Sequence, residues 1–235
     1  MQARAAAPWH TDPMTPLRAL LLIGVATLAA LAGFLAWRAL APAQPPPAVM
    51  TTHGSPAPAP PPARTIPDTL PAFTLKDRDG VPRTLAHWAG HPLLVNFWAT
   101  WCAPCRREIP LLKTLRRSYA AQGLEVIGIA VDFREDVLKY AAEIGLDYPL
   151  LIGEQDGLDA AAAFGVDPVL PFSVFSDSKG RIVAVRIGEL HADEAAFILA
   201  RVQEVDAGRI ALPVAQQQIA EKLRELAAIR AKSAA

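Results

Sequence analysis

Cys102 and Cys105 are the two cysteines of this chain of 235 residues, and Ala103 and Pro104 separate them. Cysteines at this spacing can form a disulfide that opens and closes by thiol-disulfide exchange. The thiolate is the attacking species in such an exchange, so the surroundings of the pair determine its reactivity. Two cysteines are too few for a disulfide scaffold, and their spacing therefore indicates chemistry and not fold stability.

The elements predicted around the pair favour a reactive site. The apolar run LLVNFW at 93–98 predicts a buried strand, and residues 104–122 predict a helix that begins beside Cys102. Unpaired N–H groups and the helix dipole stabilise a thiolate at a helix N-terminus. We therefore expect Cys102 to be the exposed nucleophile. Cys105 follows on nearly the same helix face and would resolve the mixed disulfide, and Pro104 favours the first helical turn.

Other uses of the cysteines stay open, namely a purely structural disulfide, a zinc site and a Cu(I) carrier. Two Cys with two His can fill a tetrahedral zinc shell, and His87 and His91 lie just upstream. At about 3.3 Å per residue, however, the strand after His91 would separate the imidazoles from the cysteines by ~20 Å. A Cu(I) carrier would use the two thiolates, which suit this soft ion.

The rest of the globular part alternates strand and helix patterns. Residues 73–75 and 81–85 flank Asp79-Gly80 and predict a hairpin. A second apolar run at 124–131 predicts a strand parallel to the first, because a helix connects the two. Further strands are predicted at 148–152, 172–175 and 181–187, and further helices at 135–144, 158–164 and 192–207. The last two strands are expected to be antiparallel, so the class is α/β with a mixed central sheet flanked by helices.

An uncharged stretch of nineteen residues precedes the globular part. Residues 19–37 are long enough to cross a bilayer, so we expect one transmembrane helix that anchors the chain. A cleaved signal peptide is the alternative. Arg4 and Arg18 precede the stretch, which places residues 1–18 in the cytoplasm and the remainder outside by the positive-inside rule.

Composition divides the remainder of the chain. Residues 38–63 are rich in Ala and Pro and predict an extended linker, and residues 64–212 form the predicted domain. At 213–235 an amphipathic helix is predicted, with Ile219, Leu223, Leu226 and Ile229 on one side; it either packs on the domain or binds a partner. Net charge is zero, and residues 64–235 hold 20 basic and 22 acidic side chains, so we expect no nucleic-acid partner.

The run NFWATWCAPCRREIPLL at 96–112 resembles the TlpA/ResA-like branch of the thioredoxin superfamily. These are membrane-tethered thiol:disulfide oxidoreductases of the bacterial envelope. The resemblance spans about residues 66–207. It implies a thioredoxin fold with an N-terminal hairpin, an inserted segment at about 132–164, and a position at the inner membrane with the catalytic domain in the periplasm.

The resemblance also implies residue roles. Cys102 would attack and Cys105 would resolve, with Pro171 as a cis-proline that faces the pair. Glu108 matches a glutamate near the cysteines, where a carboxylate would raise a thiol pKa and move protons. A plain loop proline and a solvated helix charge beside Arg106 and Arg107 are the alternatives. The groove for the substrate would be formed by Trp101, Ala103, Pro104 and Leu170.

One position departs from ordinary thioredoxins, in which a buried acidic residue stands where this chain has Asn96. Asn cannot titrate, so proton transfer at that position must be absent or carried by Glu108. Trp98 is expected in the core and Trp101 partly exposed beside the thiols.

The expected function is a client-specific disulfide reductase with no cofactor other than the redox-active pair and no metal. Ala103 and Pro104 add no positive charge and Glu108 adds a negative one, which favours a potential near −270 mV. The resemblance implies client proteins with disulfides in cytochrome c maturation or copper-centre assembly, and a membrane thiol reductase as electron donor. A thiol oxidase and a general reductase are the alternatives.

Overall fold

A computed structural model of the chain describes residues 31–38, 65–167 and 169–233. Residues 31–38 are helical and exposed and include the last part of the predicted 19–37 anchor. The predicted cytoplasmic segment 1–18, residues 19–30 and the linker from residue 39 onward lie outside the described residues. Within the described ranges, no helix is both long and apolar enough to cross a membrane.

A mixed sheet of seven strands runs through residues 65–233, in the order β2-β1-β5-β4-β3-β6-β7. The strands are β1 (Leu75–Asp77), β2 (Pro82–Arg83), β3 (Leu93–Trp98), β4 (Glu125–Val131), β5 (Leu150–Gly153), β6 (Phe172–Ser176) and β7 (Ile182–Ile187). Strands β3, β4 and β5 are parallel, and all the other pairings are antiparallel. The prediction of a mixed α/β sheet with an N-terminal hairpin is confirmed.

Five α-helices cover this sheet within the same residues. They are α1 (Ala103–Ser118), α2 (Arg134–Glu143), α3 (Gln155–Ala163), α4 (Ala192–Asp206) and α5 (Leu212–Ser233). The predicted helix 104–122 ends earlier than expected, and a short 3-10 turn at Ala120–Gln122 leads into Gly123. The predicted insertion holds α2, β5 and α3, and β5 lies between β1 and β4. The insertion thus contributes a strand to the sheet.

Side chains of β3 alternate between the two faces of the sheet, as in any strand. Leu93, Val95 and Phe97 join the core on one face, with residues of α3. Leu94 and Trp98 join the core on the other face, with both cysteines and residues of α1, α2, α4 and α5. The register of β3 therefore directs Asn96, between Leu94 and Trp98, toward the face that α1 covers.

The C-terminal helix α5 buries its apolar side chains on the domain mainly in its first half. Ala215 and Ile219 are buried, and Gln216 Nε2 donates to the backbone oxygen of Ile182 at 2.9 Å. The predicted amphipathic helix is confirmed, but its predicted apolar side does not pack along its whole length. Ile229, near the end of α5, is 52% exposed.

Candidate active site

Cys102 and Cys105 form a disulfide at the start of α1, with their Cα atoms 5.3 Å apart. Cys102 is the N-cap residue, and its sulfur accepts a hydrogen bond from the backbone N–H of Cys105 at 3.3 Å. Ala103 and Pro104 occupy the first helical turn, where proline loses no helical hydrogen bond. The pair thus sits where unpaired N–H groups and the positive end of the helix dipole can stabilise a thiolate.

Both cysteines are buried in this disulfide form. Cys105 is fully buried and Cys102 is only 5% exposed. The expectation of an exposed Cys102 is wrong in this state, because its sulfur folds back over the first turn to cap the helix. Trp101, which is 70% exposed, and the exposed Ala103 flank it, whereas Trp98 is fully buried. The predicted contrast between the two tryptophans is confirmed.

Glu108 lies one helical turn after Cys105 and is 2% exposed. Its Oε1 accepts a hydrogen bond from Asn96 Nδ2 at 2.6 Å, and its Oε2 accepts one from the backbone N–H of Leu190 at 2.6 Å. The alternative of a solvated helix charge is therefore wrong. Helix periodicity explains the burial, since the neighbouring Arg106 and Arg107 face solvent and Glu108 faces the sheet.

Burial controls the protonation of Glu108. It raises the pKa of this carboxyl to about 7, although the hydrogen bonds from Leu190 and Asn96 oppose the shift. The sequence predicted that Glu108 adds a negative charge beside the thiols and can move protons. The carboxyl gains and loses its proton near neutral pH, and it disfavours a neighbouring thiolate only when it is ionised.

Asn96 lies at the centre of a buried cluster of polar side chains beneath α1. Its Nδ2 donates to Ser173 Oγ at 3.0 Å as well as to Glu108. Three other buried polar atoms here have no hydrogen-bond partner among the described residues: Asn96 Oδ1, Trp98 Nε1 and Tyr148 Oη. Sequence analysis missed Ser173 and Tyr148, because nothing in their local sequence indicates that they approach β3.

Gly128 on β4 leaves space for two rings of this cluster, those of Trp98 and Tyr148. A Cβ atom at this position would lie 2.9 Å from Tyr148 Cε2 and 3.0 Å from Trp98 Nε1. Any side chain there would force the two rings apart. The glycine is thus required by close packing and not by its backbone conformation.

Pro171 follows a cis peptide bond with Leu170, so the cis conformation predicted from the resemblance is confirmed. Strand β6 begins at the next residue, Phe172, which pairs with Phe97 near the end of β3. Pro171 is therefore at the same edge of the sheet as the chain that leads to Cys102. Pro171 is buried and Leu170 is half-buried against the core.

Three consecutive residues after β7 join the parts of this site, and sequence analysis missed them. The N–H of Gly188 donates to the carbonyl of Pro171 at 2.8 Å, and that of Leu190 donates to Glu108. Between them, Glu189 forms an ion pair with Arg107 of α1. Gly188 has a φ of 89°, a conformation that favours glycine. We call residues 188–190 the bridging segment.

Asp132 holds the loop that precedes the cysteines. It directly follows β4, and its Oδ2 accepts hydrogen bonds from Thr100 N at 2.9 Å and Thr100 Oγ1 at 2.5 Å. The ends of parallel strands β3 and β4 meet at this edge, so an acidic residue directly after β4 was a signal that could have identified it.

The histidines considered for zinc are placed apart from the pair. His91 Nδ1 lies 3.2 Å from the carbonyl oxygen of Gly123, at the opposite end of β3 from the cysteines. The ring of His87 contacts Trp88. Within the described residues there is no group of three or more His, Cys, Asp or Glu side chains that could hold a metal ion.

Comparison with known proteins gives consistent matches over the domain. The family model described as the AhpC/TSA family matches residues 66–185. The thiol-disulfide oxidoreductase ResA of Geobacillus thermodenitrificans is 33% identical over 133 residues, which are 56% of this chain and 75% of that protein.

Solved structures also match this chain. A secreted thiol-disulfide isomerase from Corynebacterium glutamicum matches with a TM-score of 0.53 and 26% identity, over 57% of this chain and 85% of that one. A thiol:disulfide interchange protein of the thioredoxin family from Chlorobium tepidum matches with a TM-score of 0.50 and 28% identity, over 60% of this chain and 97% of that one.

Proposed function

The chain belongs to the AhpC/TSA family, and on that premise we propose that this thiol-disulfide oxidoreductase is a membrane-tethered reductase for a small set of client proteins. One observation carries the proposal. The Cys102–Cys105 disulfide begins a helix whose next turn presents the buried carboxyl of Glu108. An exchangeable pair and a nearby group that titrates near neutrality are what disulfide exchange requires.

The proposed reaction transfers two electrons to the client. The Cys102 thiolate attacks one client sulfur, a mixed disulfide forms, and the other client sulfur leaves as a thiolate. The Cys105 thiolate then attacks the Cys102 sulfur, which releases the second client thiolate and closes the Cys102–Cys105 disulfide. Glu108 would accept or supply a proton as the buried Cys105 thiol is consumed or restored.

The direction of electron flow follows from the charges around the pair. Ala103 and Pro104 add no positive charge, and an ionised Glu108 disfavours a thiolate above about pH 7. A less stable thiolate makes the dithiol a better electron donor. We therefore place the couple on the thioredoxin side of the potential scale, as a reductant that needs no cofactor beyond this disulfide.

The tether and compartment are proposed from the sequence. The uncharged stretch 19–37 would anchor the chain in the bacterial inner membrane, with the domain in the periplasm. Since the periplasm is kept oxidising, the protein would receive its electrons from a thiol reductase in the membrane. The proposed clients are cysteine pairs that await haem in cytochrome c or copper in an oxidase, reached through Trp101, Ala103, Pro104 and Leu170.

The deciding measurement is the reduction potential of the full-length protein in detergent, equilibrated against defined thiol buffers. We expect about −250 mV or lower, whereas a value near −120 mV would make the protein an oxidant. The Cys102→Ser variant is the control, because it cannot form the couple.

Client selectivity needs a separate test. The reduced protein is mixed either with an oxidised apocytochrome c peptide that carries its haem-binding cysteine pair, or with oxidised insulin as a generic substrate. We expect the cytochrome peptide to be reduced at least about tenfold faster. Equal rates would contradict selectivity while leaving the oxidoreductase activity intact.

A further inference from the structure

We propose that Glu194 is a positioning residue of the redox site, which holds the bridging segment in place with the help of Arg186 and Arg230. This inference rests on the proposed function of the Cys102–Cys105 pair. Glu194 is a buried charge that the exchange reaction itself does not use, and Arg230 belongs to the C-terminal helix.

Glu194 is a carboxylate with every contact inside the protein. It is 1% exposed and lies in the first turn of α4. Its Oε2 accepts hydrogen bonds from Arg186 Nε at 2.9 Å and from the backbone N–H of His191 at 3.2 Å. Its Oε1 accepts one from Arg230 Nη1 at 2.7 Å. Breaking these contacts would leave a buried carboxylate without its guanidinium partners, which is strongly unfavourable, so they hold Glu194 in place.

These contacts fix the bridging segment at both ends. Arg186 precedes it and donates through Nη2 to the carbonyl of Glu189 at 3.3 Å, while His191 follows it directly. Between these points, Gly188 and Leu190 direct their N–H groups at Pro171 and Glu108. Glu194 touches none of the reacting atoms and acts on the redox site only through these two N–H groups.

The C-terminal helix contributes through Arg230. This side chain joins Glu194 and also pairs with Asp193 at 2.5 Å. Helix α5 thus supplies a second cation to the buried carboxylate of Glu194.

The charged and polar groups around Glu194 and Glu108 come from several elements. Glu194 is faced by Arg186 of β7, by Arg230 of α5, and by Asp193 and His191 at the start of its own helix. Glu108 is influenced by Arg186, Glu189 and Tyr148, and it is hydrogen-bonded to Asn96 and Leu190. The Glu194→Gln variant keeps the side-chain shape and removes one negative charge.

Two explanations predict opposite signs for this variant. If Glu194 acts only through its charge, its loss makes the surroundings more positive and lowers the pKa of Glu108. If Glu194 positions the bridging segment, the Leu190 N–H moves away from the Glu108 carboxylate, and the pKa of Glu108 rises. The direction of the shift therefore separates positioning from simple electrostatics.

The experiment follows the carboxyl carbon-13 NMR signal of Glu108 against pH in the full-length disulfide form, with Glu108→Gln identifying the signal. For Glu194→Gln we expect the titration midpoint to rise by about half a pH unit or more. Glu204→Gln is the matched control: it removes a carboxylate that pairs with Arg201 near the other end of the same helix. Its midpoint should match that of the wild type.

Arg230→Gln is the second variant, because its partly exposed side chain can be replaced without leaving a buried cavity. We expect a smaller rise in the same direction, and because the loss of a cation alone would also raise the midpoint, the sign test rests on Glu194→Gln. An unchanged or lowered midpoint in a folded Glu194→Gln protein would overturn the proposal, even if its thermal stability falls. Because the titration uses the disulfide form, its failure would leave the proposed reductase function untouched, and that function fails separately on the measured potential.

Discussion

Asn96 Nδ2 lies 2.6 Å from Glu108 Oε1, and both side chains are buried between β3 and α1. An amide in this position can donate to the carboxylate without adding a second negative charge. A buried acid at position 96 would instead compete with Glu108 for a proton. The carboxyl that titrates near neutrality is thus on the helix and not on the strand.

Replacement of Asn96 by an acid should couple two titrations. In Asn96→Asp, two carboxyls lie within hydrogen-bond distance and cannot both ionise at low cost, so the variant retains a proton to higher pH. We expect the free energy of unfolding, relative to the wild type, to be lower at pH 8 than at pH 5 by at least about 1.4 kcal/mol. Urea unfolding at the two pH values measures this difference.

Ser173→Ala serves as the control for that variant, since it removes the other partner of Asn96 without adding a charge. Its destabilisation should be the same at both pH values. If Asn96→Asp also shows no pH-dependent loss, the two side chains are not electrostatically coupled.

Glu108 should make the protein less stable as pH rises. Its pKa is about 7 in the folded state and near 4.5 in the unfolded state, so the folded state binds more protons between these values. The contribution of Glu108 to the free energy of unfolding is therefore largest below about pH 4.5. It decreases as pH rises to about 7, by about 3 kcal/mol in total. Glu108→Gln should lack this fall, which urea unfolding at pH 4.5, 6 and 8 would reveal. Parallel curves for both proteins would show that Glu108 does not carry the effect.

Gly128 and Gly157 should respond in opposite ways to alanine. At Gly128 the new Cβ would meet the rings of Tyr148 and Trp98 at 3.0 Å or less, so we expect a loss of about 1–3 kcal/mol from overpacking. At Gly157, within α3, the nearest atoms lie at 3.5 Å, and the helix should gain about 0.5–1 kcal/mol. Thermal unfolding of the two variants measures both effects, and equal shifts would contradict the packing argument.

Substitution of Trp98 should affect folding stability, whereas substitution of Trp101 should affect the rate of client reduction. Trp98→Ala removes a fully buried ring and should cost about 3–5 kcal/mol of folding stability. Trp101→Ala removes a largely exposed ring and should change stability by less than about 0.5 kcal/mol. We expect it to slow reduction of the cytochrome peptide by about three- to tenfold through lost contact area. Unchanged client rates would place the client surface elsewhere.

Local sequence predicted the elements well wherever one pattern dominated. The run LLVNFW became β3 with both ends as predicted, because a buried strand between two apolar faces is apolar throughout. The helix after the cysteines, the hairpin and the last antiparallel pair also follow from local periodicity and turns. The spacing of the two cysteines and the local helix pattern were enough to predict the pair at the start of a helix.

Only the tertiary structure decided the environment of those cysteines. The burial of Glu108 depends on β3, on α1 and on Leu190, which is 82 residues further along the chain. The bridging segment carries no motif, since its contacts to Pro171 and Glu108 use backbone N–H groups, which every residue except proline has. The sequence therefore determined which atoms can exchange electrons. Long-range packing decided their solvent access and the protonation of the carboxyl beside them, because both depend on residues that are distant in sequence.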